Sequence, residues 1–278
     1  MIRKWQLILV LLAAGACSGR AALLFSQDFS SSSDVSSYVS ATDPNGGQWN
    51  DIATSGSGVS VGIVNGTLQY NRTGNNTGSF TRSTDFSPAP TALIYSFDLM
   101  VNNVTAAGSS VGTWYVGSGF SSGASVPSTY NSRFAVNFNS DGTFSLHVVS
   151  GSTSSEFASG TTISLTWVIN DTGSILSYLG PDGQNDTVGN DKWDLYAGNT
   201  LVFDEQTADG TSTSLTDLKF LFTADNGKGY GIISMDNFQI ESVPESHAWG
   251  VTSGAGLLAL CGFQWWRQRW EKSLHVTT

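Results

Sequence analysis

Apolar side chains recurring at every second residue run through the middle of this 278-residue chain and decide its fold class. In Thr91 to Val101 the set Leu93, Tyr95, Phe97, Leu99 and Val101 is wholly apolar, while Ser96 and Asp98 fall on the other face. The same pattern recurs in Ile163, Leu165, Trp167 and Ile169, and again in Leu218, Phe220 and Phe222. Successive strand side chains point to opposite faces, so each run predicts a strand with one buried face. No window of a dozen residues between 23 and 242 follows a helical period.

Turn chemistry joins the strands. Asn65-Gly66 separates Val59 to Val64 from Thr67 to Arg72, and a type I′ hairpin turn requires positive φ at both central residues. Asp141-Gly142 does the same between Phe134, Val136, Phe138 and Phe144, Leu146, Val148. Ten to thirteen strands are expected without internal repeat. That number in one unit predicts an all-β, two-sheet antiparallel jelly-roll sandwich over residues 23–242. The Ser- and Gly-rich stretches 30–58 and 105–131 are expected as surface loops.

Cysteine and charge narrow the class further. The only two cysteines, Cys17 and Cys261, lie outside the predicted sandwich, so no disulfide can brace it. Between residues 23 and 244, 20 acids face six bases. That field repels a phosphate backbone and excludes nucleic acid as a partner.

The two ends read as addresses. Arg3 and Lys4 precede the apolar run Leu7 to Ala16, with small residues behind it, which predicts a signal peptide over 1–22. A rival reading makes Ala14-Gly15-Ala16-Cys17 a lipidation site at Cys17. Ala248 to Trp266 is 19 residues without a charge, enough for a transmembrane helix 248–266. Trp265, Trp266 and Trp270 mark its end, and Arg267, Arg269 and Lys272 follow. Positive charges stay on the cytoplasmic side, so the body lies across the membrane.

The sequence Val243-Pro244-Glu245-Ser246, then a short apolar helix, then an Arg cluster including Arg267 and Arg269, resembles the PEP-CTERM sorting signal of Gram-negative bacteria. Ser246 stands where that signal carries a second proline. The resemblance covers 243–278 and implies export by the secretion translocase, transient anchoring in the inner membrane, processing by an exosortase, and delivery to the outer surface. In the body, Gly180-Pro181-Asp182-Gly183, Trp193 to Val202 and the final strand Ile233 to Ile240 are similar to the concanavalin A-like and laminin-G-like group. Carbohydrate-binding jelly rolls of that kind often place an Asp of the last strand with acids near the first strand around a structural calcium. Asp236, which shares parity with Phe238 and Ile240, and Asp28 take those places here. The alternative leaves Asp236 wet at a sheet edge.

Retaining glycoside hydrolysis needs two carboxyl groups about 5 Å apart. Glu156, Glu205 and Glu241 are the only glutamates of the body and none stands in a cluster. His147 is the body's single histidine and is out of phase with Leu146 and Val148, so it is expected to face solvent. The acids Asp182, Asp186, Asp191 and Asp194 miss the EF-hand spacing and are expected in a solvated loop. Rings beside Gly-rich loops, Trp114, Tyr115, Tyr130 and Trp193, are the candidates for stacking on sugars. Adjacent Trp114 and Tyr115 cannot both enter one core from a strand. The expectation is therefore a non-enzymatic surface or matrix protein that binds or organises exopolysaccharide. A glycoside hydrolase or lyase on the same fold, and a structural adhesion subunit, are the alternatives.

Overall fold

In the computed structural model, residues 21–223 and 229–243 are described. The expected signal peptide, apart from residues 21 and 22, the expected sorting residues Pro244, Glu245, Arg267 and Arg269, and the expected helix 248–266 lie outside them. Among the described residues no helix is long and apolar enough to cross a membrane.

Seventeen strands form the described body. They are β1 (Ala22–Gln27), β2 (Asp51–Thr54), β3 (Val59–Val64), β4 (Thr67–Arg72), β5 (Gly78–Arg82) and β6 (Ala92–Ala106). Then come β7 (Gly108–Gly117), β8 (Tyr130–Phe138), β9 (Phe144–His147), β10 (Thr153–Phe157), β11 (Thr162–Asn170) and β12 (Leu176–Leu179). The last are β13 (Asn185–Val188), β14 (Lys192–Ala197), β15 (Thr200–Thr207), β16 (Asp217–Phe222) and β17 (Tyr230–Ser242).

An eight-stranded sheet runs β15-β14-β11-β6-β17-β4-β3, with β1 paired to β17 beside β4. A seven-stranded sheet runs β10-β9-β8-β7-β16-β5-β2, and β12-β13 is a separate hairpin. All ladders in these sheets are antiparallel. The expected all-β sandwich is therefore the fold. Asn65-Gly66 turns β3 into β4 with φ of 52° and 79°, and the predicted strand limits on both sides hold.

The strand count exceeds the expectation because several short strands carry no alternation. β2 and β7 both lie in stretches expected as loops. In β7 the glycines serve packing: a Cβ on Gly112 would sit 2.7 Å from Ile233 Cδ1 and 3.2 Å from the Phe220 ring. Facing layers leave no room for it, so a loop-like composition here forms a core strand.

Between the sheets lies one large aromatic core. Phe238 is its hub, with ring centroids 5.3 Å from Trp49, 5.6 Å from Phe80 and 5.3 Å from Phe97. Trp114 stacks on Phe134 at 5.1 Å, and Trp193 meets Trp167 edge-on at 5.8 Å. Burial on this scale dominates the stability of a body without disulfides.

β17 contains the irregularity that matters most. Met235 pairs with Leu99 and Asp236 with Asp98, but the next pair is Gln239 with Ser96, so β17 holds one extra residue. Asn237 takes it up with φ of 52°. Such a bulge shifts the side-chain alternation by one. Ile233 and Met235 point into the core before it, Phe238 and Ile240 after it.

Candidate functional site

The bulge corrects the expectation for Asp236. Its parity matches Ser234, not Phe238, and its carboxyl stands on the outer face of the eight-stranded sheet, directly across from Asp98. Its Oδ1 is nevertheless buried and has no hydrogen-bond partner. Burial raises its pKa first of all, with Asp28 and Asp98 adding to that and a backbone N–H of Asn237 opposing it. A buried carboxylate oxygen without a donor, facing another carboxylate, is an expensive arrangement that a cation would relieve.

Asp98 is better satisfied. It accepts from Ser164 Oγ at one oxygen and from Asn237 Nδ2, at 2.8 Å, at the other. Asp28, just past β1, accepts from the N–H and hydroxyl of Ser30 at 3.1 and 2.9 Å, and these bonds lower its pKa. Among the described residues no three His, Cys, Asp or Glu side chains form a ready metal cage. The donor set, hard oxygens with one orphaned, fits calcium rather than a soft metal. Asp236 and Asp98 are the acids that would hold it.

Next to these acids the same face carries an ordered grid. The register aligns Asp236, Asp98 and Ser164 in one row, and Gln239, Ser96 and Thr166 in the next. Of these, Asp98, Ser164, Gln239, Ser96 and Thr166 line, with Asn237, an open depression of about 290 Å³. That is near the lower end for small-ligand sites. Hydroxyl, amide and carboxylate groups in one shallow cup can exchange hydrogen bonds with the hydroxyls of a sugar ring. The sequence marked Ser96 and Asp98 only as the wet face of a strand and gave no sign of a site there, because polar residues alternating with a core face look like ordinary surface.

The expected ring residues divide. Trp114 and Trp193 are 0% and 1% exposed, so both are core and present nothing to a ligand. Tyr115 is also buried, but on the other face of its strand, beside Phe120 and Leu221 with Tyr130 packed against them. Trp114 and Tyr115 are both inside because the seven-stranded sheet is covered on its outer face too. There the segment between β7 and β8 is pinned by charges. Phe120 N–H donates to Asp217 at 2.7 Å, Gly123 N–H donates to Asp51 at 2.8 Å, and Lys219 Nζ donates to Ser121 O at 2.7 Å. Burial lifts Asp217 to about 6, with Asp85 adding to this against the Phe120 donor, and lowers Lys219.

Tyr130 keeps an open face. Its ring meets Tyr115 at 5.5 Å, and the Arg133 guanidinium lies 4.7 Å above it while bonded to Asp209 at 2.8 Å. The single histidine, His147, is half-buried and pairs with Thr153 Oγ1 at 3.1 Å.

The acidic cluster is not a plain solvated loop. The hairpin β12-β13 folds onto β14, and Asp194 beneath it is fully buried, accepting from Tyr178 Oη and Glu205 N–H, both at 2.6 Å. Its pKa is pushed up to about 6, chiefly by burial. Asp186 accepts from Tyr196 Oη at 2.8 Å. Glu156, Glu205 and Glu241 lie on β10, β15 and β17.

No family model matches the chain, and no curated protein matches it. Solved structures do. A carbohydrate esterase of the Shiga toxin-encoding bacteriophage phi24B has a TM-score of 0.46 at 9% identity, covering 81% of this chain and 100% of that one. The Emp47p carbohydrate recognition domain has a TM-score of 0.44 at 10% identity, covering 70% and 90%. The botulinum neurotoxin DC binding domain, solved with SialylT, has a TM-score of 0.41 at 11% identity, covering 81% and 49%. No residue role is carried over from them.

Proposed function

We propose that this chain is an exported carbohydrate-binding protein whose site is the outer face of the eight-stranded sheet at the β17 bulge. One observation carries the reading: the bulge sets the orphaned Asp236 oxygen opposite Asp98, at the rim of a cup lined by Ser96, Thr166, Asn237 and Gln239. A calcium ion held by Asp236 and Asp98 would neutralise the pair, while the hydroxyl and amide groups of the cup would hydrogen-bond the sugar. Exopolysaccharide at the cell envelope is the ligand class in view. The sorting-signal resemblance supports passage through the translocase, temporary anchoring in the inner membrane, handling by an exosortase and display at the outer surface. Intact mass of protein recovered from the cell surface tests both ends at once: loss of residues at each terminus supports the route, and an unprocessed chain refutes it.

The binding test is an array of bacterial polysaccharides and oligosaccharides probed with the purified protein in calcium and in chelator. Retention that needs calcium and disappears in Asp98→Asn supports the site. No retention in either solvent refutes it and favours a structural adhesion subunit. New reducing ends or unsaturated sugar products on incubation with those polysaccharides would instead establish a hydrolase or lyase.

A further inference from the structure

The cup at the β17 bulge is lined by neutral polar groups and an acid, and by no base. Among the described residues the Thr166 hydroxyl and the Gln239 amide enter no hydrogen bond, so both are free to donate and to accept. The fixed charge around them is negative. Asp98 lines the cup, Asp236 stands across the ladder from it, and Asp28 acts on Asp236 from just beyond β1. Glu241 follows Gln239 on the outward side of β17, since Phe238 and Ile240 take the inward one.

Each of the five described Lys and Arg side chains is engaged elsewhere. Arg72 and Arg82 share parity with the core residues Tyr70 and Phe80 and turn inward, where Arg72 donates to Gly74 O at 3.0 Å and Arg82 to the carbonyls of Asn45 and Gln48 at 2.8 and 2.7 Å. Arg133 and Lys219 lie on the seven-stranded sheet, bonded to Asp209 and to Ser121 O. Lys192 shares the cup's sheet, but its Nζ is 2.7 Å from Glu205 Oε2. It also precedes Tyr196, the partner of Thr166, by four residues along β14, which is roughly 13 Å. His147 belongs to β9 in the other sheet.

A carboxylate or sulfate carried on a sugar would meet like charge here and find no side-chain cation, so its lost hydration would go unreplaced. A calcium ion at Asp98 and Asp236 cancels those two charges and leaves Asp28 and Glu241 uncancelled. We propose that the cup selects neutral sugar residues through their hydroxyls and rejects residues that bear a uronate or sulfate group. The inference rests on the reading of this cup as the carbohydrate site. Hydroxyl and amide contacts serve both classes of sugar, whereas repulsion acts on the acidic class alone and supplies the discrimination. About tenfold weaker binding per carboxylate is expected at 0.15 M salt, where a screening length of about 8 Å leaves adjacent charges in contact.

The test uses the purified full chain and polysaccharides that contain uronic acids, each beside the same polymer after its carboxyl groups have been reduced to hydroxymethyl groups. Retention is measured in calcium buffer at low and high salt. The expected result is retention of the reduced polymers, with the native ones about tenfold weaker and the gap closing as salt rises. Thr166→Lys, which sets a cation in the half-buried wall of the cup, should bring the native polymers in. Native polymers retained as well as reduced ones overturn the selection; the site itself still stands if Asp98→Asn abolishes that retention. Native polymers still excluded from a Thr166→Lys chain that keeps the reduced ones show that exclusion is not electrostatic, which also overturns the selection. Retention of neither form, in either salt, overturns the cup as a sugar site and the selection with it.

Discussion

Replacing Asp236 by Asn exchanges one oxygen for an NH₂ group, and the surroundings set opposite signs for the effect in two solvents. In chelator the wild-type carboxylate faces Asp98 across the ladder and leaves a buried oxygen without a donor. Directly opposed like charges cost roughly 0.2 to 1 kcal/mol, and an unsatisfied buried acceptor costs about 1 to 3 kcal/mol. The amide removes the repulsion and can donate toward the neighbouring carboxylates. A net gain of about 1 kcal/mol, or a Tm rise of about 2 to 4 °C, is expected for a domain of this size. Calcium at a hundredfold excess over its dissociation constant stabilises the wild type by about 2.7 kcal/mol. The variant, lacking one carboxylate of the set, should gain little. The order of stability therefore inverts between chelator and calcium, which scanning calorimetry reads directly, with magnesium as the control ion. A variant less stable than wild type in both solvents would show that Asp236 is an ordinary structural acceptor, and an equal calcium response would remove the metal from the site.

Asp194 has a folded pKa near 6 against 3.8 ordinarily, so the stability it contributes is present at low pH and is lost as pH rises from about 4 through 6. Two units are worth about 3 kcal/mol before solvent screening, and about half of that after it. Asp194→Asn should flatten the urea-unfolding profile between pH 4 and 7 by that amount, and a profile parallel to wild type would discredit the shift. Tyr178→Phe deletes the 2.6 Å bond to Asp194. It should cost about 1 to 2 kcal/mol and speed amide exchange in β12-β13 ahead of the sheets; protection unchanged in the hairpin would show the bond does not hold it down. Phe238→Ala empties the hub of the aromatic core and should cost about 3 to 5 kcal/mol by urea midpoint, whereas a loss under 1 kcal/mol would mean the ring is not a keystone. Arg133→Ala breaks a pair whose side chains are 22% and 35% exposed, and thermal unfolding should register less than about 1 kcal/mol; a larger loss would place that guanidinium in the structural core.

Strand identity was legible wherever one strand face met the core and the other met water. β6, β11 and β16 announce themselves by alternation, and β3-β4 by its Asn-Gly turn, since both signals are local consequences of backbone geometry. The outer face of the seven-stranded sheet was not legible. Asp217 and Lys219 alternate with core residues as surface residues do, yet both are 1% exposed, because a segment some hundred residues earlier folds over them. The same cover explains how Trp114 and Tyr115, neighbours on opposite faces, are both buried.

Asp236 marks where local reading ends. Its type and position in the last strand could be read from the chain, and the acids Asp28 and Asp236 do fall into one electrostatic neighbourhood. Which way its carboxyl points was decided by one extra residue at Asn237, whose left-handed backbone is stabilised by the ladders on both sides of β17. Local sequence determined the strands, the turns and the inward rings, because side-chain alternation and turn dihedrals involve only near neighbours. The register of β17 against β6, and with it the pairing of Asp236 with Asp98, arose only when residues some 140 positions apart were hydrogen-bonded into one sheet.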